Sequence, residues 1–124
     1  SLGGHVGRFP RAAGAAAMAR LLDRTEPPDA VFCFNDALAF GALRTLALHG
    51  LRVPHDVAVV GVDDVEEGRF LSTSLTTVAP DKRALAQAAI DLLLRRGNDP
   101  SAEPSTVTVR HDLVVRESTA GRAE

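Results

Sequence analysis

Short apolar runs alternate with stretches of helical period along this chain, and that alternation restricts the fold more than any other feature. The runs are Ala30-Val31-Phe32-Cys33-Phe34, Val57-Ala58-Val59-Val60 and Leu75-Thr76-Thr77-Val78. Their length suits strands rather than helices. The first two are continuously apolar, the signature of strands covered on both faces, as parallel strands are.

The helical stretches lie between them. Ala13, Ala17, Met18, Leu21 and Leu22 share one face of a helix predicted over 11–24. Pro10 fits its first turn, where a missing N–H costs nothing, and Pro27-Pro28 stops it. Leu43, Leu46 and Ala47 share a face of a second helix over 37–49, closed by Gly50 in the left-handed position that follows a helix. Leu85, Ala89, Leu92 and Leu93 line a third over 82–96, with Asp81 as its cap. A last strand is expected within 106–116, bent near His111-Asp112, and the tail from Glu117 onward is expected to fray. Residues 1–8 and 65–74 read as loops. Alternating strands and helices with short connections give an α/β fold, a three-layer sandwich around a mostly parallel sheet.

Charge and composition narrow the function. The net charge is −2 and the 14 basic residues are scattered, so the chain lacks the basic stripe with which a domain grips phosphates. Cys33 is the single cysteine and cannot form an internal disulfide, which suits a reducing cytoplasm; inside an apolar run it reads as an inert core thiol. No signal-peptide pattern opens the chain, and no apolar stretch nears the roughly 20 residues of a membrane span. His5, His49, His55 and His111 share no motif. No metal-ligand spacing or cofactor motif is found.

In open parallel sheets ligands bind beyond the carboxyl ends of the strands. Two such ends carry short polar groups: Asn35-Asp36 and Asp63-Asp64. An amide both donates and accepts, and an ionised carboxylate accepts from neighbouring hydroxyls, which is the equipment for holding a polyol. Asn35 and Asp63 are the expected ligand groups. Asp36 is expected to cap its helix and Asp64 to close a turn. An acidic pair at a strand end could also hold Mg²⁺, with Asp36 as a phosphoacceptor and Lys82 assisting, as in receiver domains. Those domains, however, place the pair on an earlier strand than the phosphoacceptor. No phosphate loop or nucleophile elbow is present, and no enzymatic activity is expected.

Longer strings carry a resemblance. Pro28-Asp29-Ala30-Val31-Phe32-Cys33-Phe34-Asn35-Asp36, Gly50-Leu51-Arg52-Val53-Pro54, Asp56-Val57-Ala58-Val59-Val60-Gly61-Val62-Asp63-Asp64, Leu75-Thr76-Thr77-Val78 and Leu113-Val114-Val115-Arg116-Glu117-Ser118-Thr119 resemble the LacI/GalR transcription regulators. Periplasmic sugar-binding proteins of transport systems share the fold and are the alternative.

The resemblance implies the carboxyl-terminal lobe of a periplasmic-binding-protein-like (type I) domain. It would sense a small effector, a sugar or related polyol, for a cytoplasmic, dimeric DNA-binding protein. Residues 1–80 would form that lobe, 81–105 a crossover helix normally belonging to the amino-terminal lobe, and 106–124 the returning strand and tail. Asn35 and Asp63 correspond to the family's ligand groups, and Phe9 to the aromatic that stacks on the effector; a hydrophobic staple on the first helix is the other reading of Phe9. Arg8 and Pro80 depart from the family's usual residues and leave the effector open. DNA would be met only through a helix-turn-helix headpiece outside this chain. The apolar face over 82–96, without its usual lobe, is expected to dock on a second copy, and the region around Phe40 to supply part of a dimer surface.

Overall fold

The computed structural model describes residues 11–24 and 26–120. Helix α1 (Arg11–Leu22) leads to strand β1 (Ala30–Phe32), helix α2 (Asp36–Leu48) and strand β2 (Ala58–Val62). After a 3₁₀ turn at Glu66–Arg69 come strand β3 (Thr76–Pro80), helix α3 (Lys82–Asn98), strand β4 (His111–Val114) and the short helix α4 (Glu117–Ala120). The four strands form one sheet in the order β1-β2-β3-β4. β1, β2 and β3 run parallel, and β4 returns antiparallel to β3. The mixed α/β class with a mostly parallel sheet is therefore as expected, and Gly50 has the left-handed backbone (φ 71°) predicted for it.

Alternation along β2 sets the core. Val59 and Gly61 are buried while Ala58, Val60 and Val62 are half-buried, so one face packs under α2. That face gathers Met18, Ala39, Ala42, Leu46, Val57, Val59 and Leu75. Helices α1 and α2 cross closely because each brings a glycine to the contact. A Cβ on Gly14 would strike the Leu38 carbonyl, and one on Gly41 the Arg11 carbonyl. Thr45 Oγ1 adds a bond to the Ala15 carbonyl at 3.2 Å.

The opposite face corrects the expectation that β1 is covered on both sides. The register puts Phe32, Val60 and Thr76 in one row on it, and Val62, Val78 and Leu113 in the next. Phe32 stays 58% exposed and Leu113 60%. A continuous apolar run records that both faces seek cover, and among the described residues only the α1–α2 side supplies it to β1.

Two further expectations change. The final strand is shorter than the 106–116 window, because only 111–114 pair with β3. The tail does not fray at 117–120. Ser118 is fully buried; its hydroxyl donates to the Val59 carbonyl at 2.6 Å and accepts from the Thr76 amide at 2.8 Å. Thr76 Oγ1 in turn meets Thr119 Oγ1 at 2.7 Å and accepts from the Arg116 amide. Polar tail residues thus complete the edge between β2 and β3, a role that hydropathy does not announce.

Helix α3 is capped by Asp81, whose Oδ1 accepts from the Ala84 amide at 2.9 Å, as the sequence indicates. None of its residues is buried. Leu85, Ile90, Leu93 and Leu94 are all at least half-exposed. Where the chain leaves and re-enters the sheet, the Asp81 amide donates to the Arg110 carbonyl at 2.9 Å.

Candidate functional site

Because β1 and β2 are parallel neighbours, Asn35 and Asp63 both follow the carboxyl ends of their strands and stand on the same edge of the sheet. Phe9, the third expected site residue, lies outside the described residues. A groove of about 670 Å³ runs along the outer face of α2 past Phe40, Leu43, Leu48 and Leu71 and includes neither Asn35 nor Asp63.

Asn35, not Asp36, caps α2. Its backbone is extended, and its Oδ1 accepts from the Leu38 amide at 2.9 Å. The cap uses the acceptor end of the amide and leaves the Nδ2 donors without a partner among the described residues. Asp36 turns the other way, into the sheet. It is 1% exposed; Oδ1 accepts from Thr77 Oγ1 at 2.7 Å and Oδ2 from the Val65 amide at 2.9 Å. Gly61 makes room for it, since a Cβ there would strike Asp36 Oδ1. Burial pushes the Asp36 carboxyl above the ordinary aspartate range, the two hydrogen bonds pull it back, and the nearby charges of Asp63 and Asp64 add to the rise.

Asp64 is likewise more than a turn residue. Its Oδ1 accepts from Arg116 Nη2 at 2.6 Å and its Oδ2 from Arg69 at 2.9 Å, while Lys82 Nζ reaches its carbonyl at 3.3 Å. Burial works against its ionised form, but the hydrogen bonds and charges of the two arginines outweigh burial and hold its carboxyl below the usual range. Arg116 also donates to the Leu75 carbonyl at 2.9 Å. This explains the arginine of the Val-Arg-Glu-Ser-Thr string as a tie from the tail to the loop after β2.

Asp63 is the contrast. Its side chain is half-buried and makes no hydrogen bond or ion pair among the described residues. Its backbone has φ 112°, a region L-residues rarely adopt, and Asp64 follows at φ 46°. The carboxylate with nothing to hold is the one in the strained position, a combination that recurs at binding sites.

Phe34 escaped the sequence reading. The apolar run predicts a buried strand position for it, yet it is 82% exposed immediately before Asn35, with Phe32 edge-on to it at 6.0 Å between ring centroids. A signal existed: the next residue starts a helix, so the run had to leave the sheet before Phe34. Cys33, by contrast, is buried as expected, and burial, with the charge of Asp36, lifts its thiol to about 11. Among the described residues no group of three or more His, Cys, Asp or Glu side chains is arranged to hold a metal ion, and no helix is long and apolar enough to cross a membrane.

A mostly parallel sheet with amide and carboxylate groups on its carboxyl edge has the layout in which open α/β sheets place ligand sites. Residues 4–119 match the periplasmic binding protein-like domain family, and the chain belongs to it. Its relatives are of the LacI-family regulator type. It is 37% identical, over 94% of its length, to the HTH-type transcriptional repressor PurR of Pasteurella multocida, of which it covers 35%. A solved structure of a LacI-family transcriptional regulator from Sanguibacter keddieii aligns over 92% of this chain and 44% of that one, with 48% identity and a TM-score of 0.84. A LacI-family regulator from Enterococcus faecium, solved with bound ribose, aligns over 94% of this chain and 42% of that one, with 32% identity and a TM-score of 0.77. The chain thus spans about a third of the length of the curated relatives it matches.

Proposed function

We propose that this chain is the effector-sensing part of a DNA-binding transcription regulator, and that its effector is a sugar or related polyol held by Asn35 and Asp63. The observation that supports this most is the division of labour among the acidic residues at the sheet edge. Asp36 and Asp64 are spent on internal donors, whereas among the described residues the Asp63 carboxylate and the Asn35 Nδ2 donors are not. An acceptor and a donor left open on one edge match the hydroxyls of a polyol. The Enterococcus faecium relative, solved with ribose, supports the ligand class.

In this reading Phe9 stacks on the sugar ring, and residues 81–105 form a crossover segment between 1–80 and 106–124. DNA is met by a headpiece outside this chain, and the protein acts in the cytoplasm as a homodimer without catalysing a reaction. The apolar groove along α2 supports a dimer surface around Phe40. The effector regulates only by favouring one arrangement of the protein over another, since equal affinity for both shifts nothing.

The test is calorimetric titration of the intact protein with ribose, glucose and cellobiose. At least one should bind, and Asp63→Ala should cost about 1–3 kcal/mol of that affinity by leaving ligand hydroxyls unpaired. Binding unchanged by Asp63→Ala would remove Asp63 from the site. Failure of all three sugars would remove the ligand class.

A further inference from the structure

We propose that Asp36 and Thr77 are positioning residues that fix the backbone of Asp63 and set its place relative to Asn35. This rests on the reading of Asp63 as an effector group, and the experiment below separates the two.

Three consecutive amides carry the inference. The Asp63 N–H donates to the Val78 carbonyl at 2.9 Å, the Asp64 N–H to Thr77 Oγ1 at 3.3 Å, and the Val65 N–H to Asp36 Oδ2 at 2.9 Å. Thr77 Oγ1, accepting from Asp64, gives its own proton to Asp36 Oδ1 at 2.7 Å. One buried carboxylate therefore terminates two of the three bonds that hold the segment. A non-glycine residue at φ 112° persists only where its surroundings over-determine it, and these bonds are the surroundings.

The choice of an acidic residue follows from its partners. A hydroxyl and an amide point donors at different oxygens of residue 36, and an ionised carboxylate accepts at both without turning a donor of its own toward either. Burying that charge is costly. A well-packed apolar side chain would fill the space beside Gly61 without the cost, but it would release the loop. Asp36 is also covalently next to Asn35. The same residue thus anchors the loop bearing one proposed ligand group and starts the helix that the other caps, so the spacing between donor and acceptor runs through Asp36.

The experiment uses the intact protein, ribose as probe, and the variants Thr77→Val, Thr77→Ser, Asp36→Asn and Asp63→Ala. Amide hydrogen exchange without ligand is read first. In Thr77→Val the amides of Asp64 and Val65 should exchange at least tenfold faster, while that of Cys33, bonded to the Val60 carbonyl, keeps its rate. Thr77→Ser should restore protection, which a general loss of packing would not. Ribose affinity, measured below the melting temperature of every variant, should fall at least tenfold in Thr77→Val and Asp36→Asn and return in Thr77→Ser. If Thr77→Val and Asp36→Asn retain wild-type affinity while Asp63→Ala loses it, the positioning role is wrong and the effector reading stands. If Asp63→Ala retains it, the effector reading falls and takes this proposal with it. Should the wild type not bind ribose, exchange at 64 and 65 decides: unchanged protection in both Thr77→Val and Asp36→Asn overturns the proposal.

Discussion

Helices α2 and α3 are alike in sequence and opposite in circumstance. Both have a side-chain cap at the N-terminus and an apolar face read at helical spacing. Yet α2 buries Asp36, Ala39, Gly41, Ala42, Thr45 and Leu46, whereas α3 buries nothing. The difference teaches that an amphipathic pattern specifies a face that seeks a partner, without saying which partner or whether it is within reach. In α2 the small residues Ala39, Gly41 and Ala42 lie where α1 and the sheet come close. α3 carries small residues too, Ala84, Ala86, Ala88 and Ala89, yet none of them is buried.

Paired substitutions test the comparison. Leu46→Ala in α2 should cost about 2–5 kcal/mol, because a fully buried side chain leaves a cavity. Leu93→Ala in α3, 73% exposed, should change the stability of this chain by no more than about 0.5 kcal/mol. Denaturant unfolding of both variants checks this, and equal losses would mean that α3 is packed after all.

The glycines should differ in sign. Gly41→Ala drives a methyl into the Arg11 carbonyl, a backbone atom that cannot step aside without moving α1. A loss of roughly 1–3 kcal/mol is expected, as for other overpacked contacts. Gly97→Ala in α3 meets nothing within 4 Å and should gain about 0.5–1 kcal/mol from the helix preference of alanine over glycine. Thermal melting of both reads the contrast directly, and a stabilising Gly41→Ala would break the account of the α1–α2 crossing.

The architecture was legible because its signals are local. Pro27-Pro28, Gly50 and Asp81 act through their own backbone or that of near neighbours; Gly50 and Asp81 play the expected parts, and α1 ends at Leu22, two residues short of the expected 24. The site was legible in part. Asn35 and Asp63 stand on one sheet edge because parallel pairing forces strand ends together. The duties of Asp36 and Asp64 were not legible, since their partners Thr77 and Arg116 lie 41 and 52 residues away and no periodicity links them. The packing of the tail is hidden for the same reason: Ser118 is polar and near the end of the sequence, and only its bonds to Val59 and Thr76 make it core.

The smallest expected effect concerns pH and again separates the regions. A carboxyl raised in the folded state, as Asp36 is, contributes stability that is present at low pH and lost as pH rises through its folded value. Asp64 has the opposite sign: its lowered value adds stability above the ordinary aspartate range, lost as pH falls through it. Unfolding free energy followed from neutral pH downward should therefore gain a shallow rise from Asp36 before Asp64 reverses it. Asp36→Asn should remove the rise and keep the reversal. No such change is expected from Leu93→Ala, which alters no titrating group.

The bond from the Asp81 amide to the Arg110 carbonyl, continuing the β3–β4 pairing, pinches the two ends of the α3 excursion together. Topologically the excursion hangs from a closed stem, like a hairpin with an outsized loop. Its length can then vary at little thermodynamic expense, since closing a longer loop adds only slowly to the entropy lost. Insertions, deletions or a different helix between 82 and 109 would leave the sheet in register. The stem makes this the stretch where the chain can be rebuilt to meet a new neighbour without refolding the lobe that carries Asn35 and Asp63.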